Sequence, residues 1–138
     1  MKKYLLFVYC LTGLLGCDKE ENNSSRLQDG TYVGTFLREL VWSPNDTAKI
    51  TMTFSSGNWS GSSNKIKYPA LCNGTYSIIG DTIIFENLCA WTAEFDWTLI
   101  LSGKYKLTIE GNTIEFERDC RSATSDTYVD KYKLKRQE

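Results

Sequence analysis

Residues 74–86 have the sequence GTYSIIGDTIIFE, and the architecture of the whole chain can be inferred outward from them. Apolar and polar side chains alternate on both sides of Gly80-Asp81, as they do in two strands that each bury one face. Glycine at the first position of a two-residue connection suits a tight hairpin turn. The pattern therefore predicts a β-hairpin with four paired apolar side chains on its inner face: Tyr76 with Phe85, and Ile78 with Ile83.

A second segment, residues 103–117, repeats this arrangement with the sequence GKYKLTIEGNTIEFE. Its tip is Gly111-Asn112, which suits the same kind of turn. Counting outward from the tip places Lys106 opposite Glu117 on the outer face. The inner face is predicted to carry Leu107, Ile109, Ile114 and Phe116, and then Tyr105 opposite Arg118. The similarity of the two segments has two explanations, an internal duplication or an ordinary meander of hairpins. Both explanations predict antiparallel strands.

The same period-two alternation recurs along the chain after Gly30, interrupted by turn residues. It predicts strands at residues 32–36, 50–54, 76–79, 82–88, 95–101, 105–109, 113–118 and 128–134, with another beginning at Trp59. We expect an all-β domain, an antiparallel up-and-down β-barrel of about eight strands, because closing the sheet removes its exposed edges. A β-sandwich is the alternative, since its alternation is the same. The run of hairpins without long crossovers favours the barrel.

The N-terminal residues up to Cys17 have the layout of a secretory signal. Lys2 and Lys3 precede an apolar run over residues 4–15, which is too short to span a hydrocarbon core of about 30 Å comfortably. A small glycine then stands directly before Cys17. The ending Leu-Leu-Gly-Cys resembles the bacterial lipobox. This resemblance implies that residues 1–16 are a lipoprotein signal peptide and that Cys17 is lipidated and anchors the protein to a membrane.

Residues 17–26 are predicted to be the lipidated cysteine and a flexible tether, because residues 18–25 contain no apolar side chain to bury. Within the tether, Lys19-Glu20-Glu21 resembles the acidic surface-export signal of Bacteroidota lipoproteins; an ordinary charged linker is the alternative. The resemblance implies an outer membrane lipoprotein of the bacterial cell envelope, exposed at the cell surface. The folded domain is expected over residues 27–138.

The composition argues against several classes of function. The chain has no histidine, which excludes Ser-His and Cys-His nucleophile pairs and histidine metal ligands. Its 16 basic and 17 acidic residues give a net charge of −1, without the basic field that nucleic-acid binding requires. We therefore expect no enzymatic activity, no cofactor, no metal and no nucleic-acid partner. A carboxylate-based hydrolase is the least supported alternative.

The chain contains five cysteines, of which Cys10 lies in the signal peptide and Cys17 takes the lipid. Counting outward from the first hairpin turn places Cys72 opposite Cys89, at a non-hydrogen-bonded position where α carbons lie about 4.5 Å apart. A disulfide is predicted there in an oxidising compartment, and two reduced cysteines inside the barrel are the alternative. Cys120 is left over, and its expected role is that of a small buried hydrophobic residue.

Arg118 departs from the apolar pattern because alternation directs it toward the interior. A guanidinium cannot be buried without a partner. Asp130 alternates with Tyr128 and Tyr132 on the predicted inner face of the last strand. We expect a partly buried Arg118–Asp130 pair that closes one end of the barrel. There are two alternatives. Arg118 contacts an anionic group of a ligand, or a bend in the strand turns Arg118 outward.

Aromatic residues make up 13% of the chain, so the predicted inner faces are rich in rings. Two such faces are expected: one with Phe95 and Trp97 beside Leu99 and Leu101, and another with Tyr32, Phe36 and Trp42. Such faces either line a pocket or fill a small β core, and a filled core is the commoner case. The candidate ligand contacts are Tyr76, Phe85, Trp97, Tyr105, Arg118 and Tyr132.

Residues 29–32, Asp-Gly-Thr-Tyr, open the first strand and resemble the Gly-x-Trp start of lipocalins, with tyrosine in place of tryptophan. Arg118 is similar to the lipocalin arginine that packs near that first-strand aromatic residue. With the meander of hairpins, the domain resembles the small lipocalin-like domains of Bacteroidota lipoproteins. The resemblance implies a non-catalytic binder of a small apolar or amphipathic ligand, in or at the mouth of the barrel.

A surface module that binds or inhibits a partner protein is the second hypothesis. Connections at residues 62–70, 90–94 and 121–126 are long enough to form such a surface. The barrel interior discriminates between the two hypotheses. An open cavity favours a ligand, and an interior filled by side chains favours interaction through the surface.

Overall fold

The computed structural model describes residues 26–123 and 128–138, which form a closed barrel of eight antiparallel strands. The strands are β1 (Gly30–Leu40), β2 (Asp46–Ser55), β3 (Asn58–Ser63), β4 (Asn73–Ile79), β5 (Thr82–Asn87), β6 (Gly103–Glu110), β7 (Thr113–Asp119) and β8 (Tyr128–Arg136). Each strand pairs with the next in sequence, and β8 pairs with β1. The predicted up-and-down barrel is confirmed, and the sandwich alternative is wrong.

The N-terminal predictions concern a part of the chain that the structure does not describe. The signal peptide, the lipidation of Cys17 and the tether up to residue 25 lie outside the described residues and stay predictions. Within the described residues, no helix is long and apolar enough to cross a membrane.

The β4–β5 hairpin has the register that the sequence predicts. Tyr76 lies opposite Phe85 and Ile78 opposite Ile83, and Gly80 adopts a φ of 61° in the turn, which glycine tolerates without strain. Phe85 and Ile83 are fully buried. Ile78 lies on the inner face opposite Ile83, as predicted, but it is only partly covered, with 37% of it exposed. Ile78 lies two residues from Gly80, where the hairpin extends past the packed core.

The β6–β7 hairpin also agrees with its predicted pairing. Leu107 lies opposite Phe116, and Lys106 lies opposite Glu117. Leu107 and Phe116 are buried, whereas Lys106 and Glu117 are exposed, as the inner and outer faces require. In both hairpins a local turn sets the register, and the alternation of apolar residues then sets the faces.

Residues 95–101 do not form the predicted strand. They belong to the β5–β6 connection (residues 88–102), which contains one turn of 3-10 helix at Trp97–Leu99. The Asp96 side chain accepts a hydrogen bond from the Thr98 backbone N–H and so caps this turn. Trp97 is 55% exposed, which contradicts its predicted place on an inner face.

Trp42 is the second aromatic residue predicted on an inner face that lies elsewhere. It is 89% exposed because β1 ends at Leu40, two residues before it. Tyr32 and Phe36, the other members of that predicted face, are buried in the core.

Aromatic rings fill the middle of the barrel. Phe116 and Tyr132 stack with their ring centroids 4.5 Å apart, and Tyr105 meets Tyr132 edge to face at 5.8 Å. Phe85 packs against both Tyr105 and Phe116, at 5.7 and 5.1 Å. An eight-stranded barrel is just wide enough to be filled by its own side chains, and these rings from the neighbouring strands β5 to β8 are part of that filling.

The two ends of the barrel differ. At the turn end, tight turns join β2 to β3, β4 to β5 and β6 to β7, and the chain enters β1 from residue 26. At the loop end lie the longer connections: residues 41–45, residues 64–72, the β5–β6 connection and the segment that begins at Cys120.

A disulfide joins Cys72 to Cys89 at the loop end, as predicted. Their α carbons are 6.4 Å apart, farther than the predicted 4.5 Å, because both residues lie just outside their strands. Cys120 is a free thiol and is partly buried.

Candidate functional site

A buried ion pair lies at the loop end of the barrel core. Asp130 is 1% exposed and accepts two hydrogen bonds from Arg38, from Nε at 2.6 Å and from Nη2 at 2.8 Å. The β1–β8 register places these residues directly opposite each other. Arg118 faces Asp130 from the other side, in the β7–β8 register, with its Nη2 at 3.5 Å from the carboxylate. The charges of Arg118 and Asp130 meet as predicted, and Arg38 is the closer partner.

Arg38 is the residue that sequence reasoning missed. It continues the alternation of Tyr32 and Phe36 along β1, so the pattern that directs Arg118 inward also applies to it. The signal was obscured because Leu37, an apolar residue on the other face of the strand, interrupts the alternation at that point.

Both arginines fasten the β5–β6 connection across the loop end. Arg38 Nη1 donates to the Asp96 carboxylate at 3.1 Å and to Thr98 Oγ1 at 2.8 Å. Arg118 donates from Nη1 to the Ser102 carbonyl at 2.9 Å and from Nη2 to the Thr98 carbonyl at 3.2 Å. Partial burial alone would raise the pKa of Asp96, but hydrogen bonds from Thr98 and Arg38 outweigh this effect and lower the pKa below its usual value.

An open cleft of about 470 Å³ lies between this connection and the start of β8; we call it the mouth cleft. Its apolar lining comes from Trp91, Trp97, Ile100 and Tyr128. Tyr128 is held in place by Arg38, whose guanidinium carbon lies 3.7 Å from the centre of its ring. Arg118 is the one charged side chain among the described residues that line the cleft.

Three buried polar atoms at this end lack a hydrogen-bond partner among the described residues. They are Nδ2 of Asn87, the hydroxyl of Tyr105 and Nε of Arg118. Burial raises the pKa of Tyr105, so its phenol stays protonated at all ordinary pH values. The guanidinium carbon of Arg118 lies 4.8 Å from the centre of the Tyr105 ring. Unpaired donors therefore gather beneath the mouth cleft.

No family model, curated protein or solved structure matches this chain. Its function must therefore be argued from the geometry of its own residues. In residues 26–123 and 128–138, no group of three or more acidic or cysteine side chains is arranged to hold a metal ion.

The six predicted ligand contacts do not come together in one site. Three of them, Phe85, Tyr105 and Tyr132, are buried within the aromatic core. Trp97 and Arg118 lie together in the mouth cleft. Sequence reasoning missed their neighbours Trp91 and Tyr128, because no local pattern shows that these segments meet.

Tyr76, the sixth predicted contact, lies at the turn end. It lines a different open cleft of about 550 Å³ together with Arg26 and Asp29. Arg26, the last residue of the predicted tether, is part of the lining of this cleft.

Large apolar side chains are also exposed on the other loops of the loop end. Val41 and Trp42 on the β1–β2 connection are 53% and 89% exposed, and Ile66 on the β3–β4 connection is 94% exposed. These connections are neighbours, since the Tyr68 hydroxyl donates to the Asp46 carbonyl at 2.9 Å. We call Val41, Trp42 and Ile66 the loop patch.

Proposed function

We propose that this protein is a non-catalytic binding lipoprotein of the bacterial cell envelope, which holds a small amphipathic molecule at the mouth of its barrel. The observation that carries the proposal is the mouth cleft, which is lined by the aromatic side chains of Trp91, Trp97 and Tyr128 and by the charged side chain of Arg118. Small-molecule sites are typically concave and mostly apolar, with a few placed polar groups. The cleft volume of about 470 Å³ also falls within the usual range for such sites.

The barrel interior is filled by side chains, which is the outcome that favours interaction through the surface, so no ligand site is proposed in the lumen and only the mouth is kept. Tyr105, Phe116 and Tyr132 are in ring-to-ring contact, so a ligand in the lumen would have to displace them. Opening a well-packed core forfeits many dispersion contacts and leaves voids. A ligand in the mouth cleft leaves this packing intact.

The predicted anchor is compatible with a cleft that faces away from the membrane. Gln28 and Asp29 lie at the turn end, where the Tyr32 hydroxyl donates to the Gln28 carbonyl at 2.8 Å and Arg136 Nε donates to the Asp29 carbonyl at 3.1 Å. From a lipidated Cys17 to this point, an extended chain reaches about 40 Å. The mouth cleft lies at the opposite end of the barrel.

Binding of the neutral fluorescent probe N-phenyl-1-naphthylamine tests the proposal. We expect saturable binding to the purified full chain, and roughly fivefold weaker binding to W97A, because one aromatic contact is lost. W42A is the matched control: Trp42 is also an exposed tryptophan of the loop end, and it does not line the mouth cleft. Absence of saturable binding, or equal weakening in W42A and W97A, would contradict the proposal.

A module that binds a partner protein is the second candidate, and the loop patch favours it. Large apolar side chains exposed together on adjacent loops are typical of protein interaction sites. The W42A variant separates the two functions: under this alternative it loses cross-links to a neighbouring envelope protein in whole cells and retains probe binding. If W42A keeps the same cross-links as the unmodified chain, this alternative is wrong.

A further inference from the structure

We propose that the ligand of the mouth cleft is an aromatic carboxylate, bound with its carboxylate against Arg118 and its ring against Trp97. This inference rests on the proposed function and adds the chemical class of the ligand to it. Three features of the cleft support it: a positive charge that is only partly compensated, N–H donors that lack an acceptor, and a row of aromatic rings.

Asp130 is the carboxylate that the guanidiniums of Arg38 and Arg118 share. Arg38 engages both of its oxygens, at 2.6 and 2.8 Å, and Arg118 lies at 3.5 Å, the outer limit of a hydrogen bond. A second carboxylate, Asp96, lies against Arg38 at 3.1 Å. Both carboxylates are therefore closer to Arg38, and the charge of Arg118 is only partly compensated. The Arg118 side chain is 25% exposed, so an anion can reach it from the cleft.

The hydrogen bonds around Arg118 also favour an anionic ligand. Its Nη atoms use the carbonyl oxygens of Ser102 and Thr98, and its Nε has no partner among the described residues. Asn87, which also lines the cleft, has an unpaired Nδ2, while its Oδ1 already accepts from the Cys89 backbone N–H and from Trp91 Nε1. Both unpaired N–H groups are buried, so they add positive potential beneath the cleft without being able to bond to a ligand themselves. A carboxylate, which only accepts hydrogen bonds, complements that potential.

The aromatic lining specifies the rest of the ligand. Trp91, Phe95 and Trp97 form a row, with ring centroids 5.6 and 6.4 Å apart between successive members. The hydrogen bond from Trp91 Nε1 to Asn87, at 2.9 Å, fixes the first ring of the row. The last ring, Trp97, is 55% exposed and is part of the cleft lining. Planar rings stack on such a surface in offset or edge-to-face geometry, which favours a flat ligand over a flexible chain.

Calorimetric titration of the purified full chain with 2-naphthoate and with neutral 2-naphthamide tests the inference. The two probes share a ring system and differ in charge. We expect naphthoate to bind about tenfold more tightly, because charge-assisted hydrogen bonds are the stronger kind. R118M should remove this preference, and R118K should keep part of it. R121M is the matched control, since Arg121 is a nearby exposed arginine paired with Asp119.

Salt dependence keeps the test decisive if R118M fails to fold. In the unmodified chain, naphthoate affinity should fall roughly threefold between 0.05 and 0.5 M salt, and naphthamide affinity should stay constant. Equal affinities for naphthoate and naphthamide would contradict the inference that the ligand is a carboxylate, without contradicting the proposed function. If decanoate binds as tightly as naphthoate, the inference that the ligand carries a planar ring is wrong. If neither naphthoate nor N-phenyl-1-naphthylamine binds, both the inference and the proposed function are wrong.

Discussion

Asp130 is a carboxylate within the barrel core, and it depends on Arg38 for its charge to be tolerated there. A buried charge without a partner costs several kcal/mol, whereas a buried pair with good geometry costs far less. Asp130 and Arg38 are 1% and 4% exposed and meet through two short hydrogen bonds. Arg118 contributes less at 3.5 Å and bonds mainly to backbone carbonyls.

The first prediction at this scale concerns the unequal worth of the two arginines. R38M should lower the free energy of unfolding by about 3–5 kcal/mol, since it leaves Asp130 buried without its close partner. R118M should lower it by about 1–2 kcal/mol, the cost of unpaired carbonyl oxygens. Urea denaturation at neutral pH measures both, and the double variant R38M/D130L should regain most of the loss. Equal destabilisation by R38M and R118M would show that the arginines share Asp130 evenly.

At the scale of secondary-structure elements, β-hairpins with tight glycine turns are predictable and long connections are not. The Gly80 and Gly111 turns fix the register locally, so counting outward from them gives the correct pairs. The alternation of Phe95, Trp97, Leu99 and Leu101 misled the prediction because period two carries no information about hydrogen-bond partners. The Asp96 cap and bonds to distant arginines hold this segment in place instead.

The Cys72–Cys89 disulfide lies beside the shortest strand pairing of the barrel, which is that of β3 with β4. Only three residue pairs join β3 to β4, and the Cys72 carbonyl extends this contact by accepting from the Gly61 N–H at 2.9 Å. The bridge spans a sequence separation of 17 residues.

Removing this bridge is the second prediction. The C72S/C89S double variant should lose about 3 kcal/mol of unfolding free energy, the usual effect of opening a loop of this size. Its β3 and β4 amides should also exchange faster with deuterium. C120S is the control and should be nearly neutral, because Cys120 is free and only partly buried. Peptide mapping without reductant that finds a Cys89–Cys120 link would contradict the assignment.

At the scale of the whole molecule, the chain enters the barrel at one end and the mouth cleft lies at the other. The turn end receives the N-terminal chain at Gln28 and Asp29. The loop end carries the mouth cleft and the loop patch. This arrangement suits a domain that is tethered at one end and binds at the other.

The prediction at this scale tests the anchor itself. C17S should release the protein from membranes into the soluble fraction with an unchanged unfolding transition, because the lipid is the proposed membrane contact and lies outside the barrel. Fractionation of cells followed by immunoblotting measures this, and C120S, another single cysteine change, should stay with the membranes. Retention of C17S in the membrane fraction would show that lipidation at this residue is not the anchor.

The sequence by itself determined the β class, the hairpin registers, the disulfide partners and the inward direction of Arg118. These features follow from turns and alternation, which act between residues close in the chain. Only the tertiary structure decided that Arg38 is the closer partner of Asp130 and that the core is filled by rings. It also decided that Trp91, Trp97, Tyr128 and Arg118 line one cleft. These relations join segments far apart in sequence, and barrel closure sets their distances because it brings β1 beside β8 and folds the β5–β6 connection over the mouth.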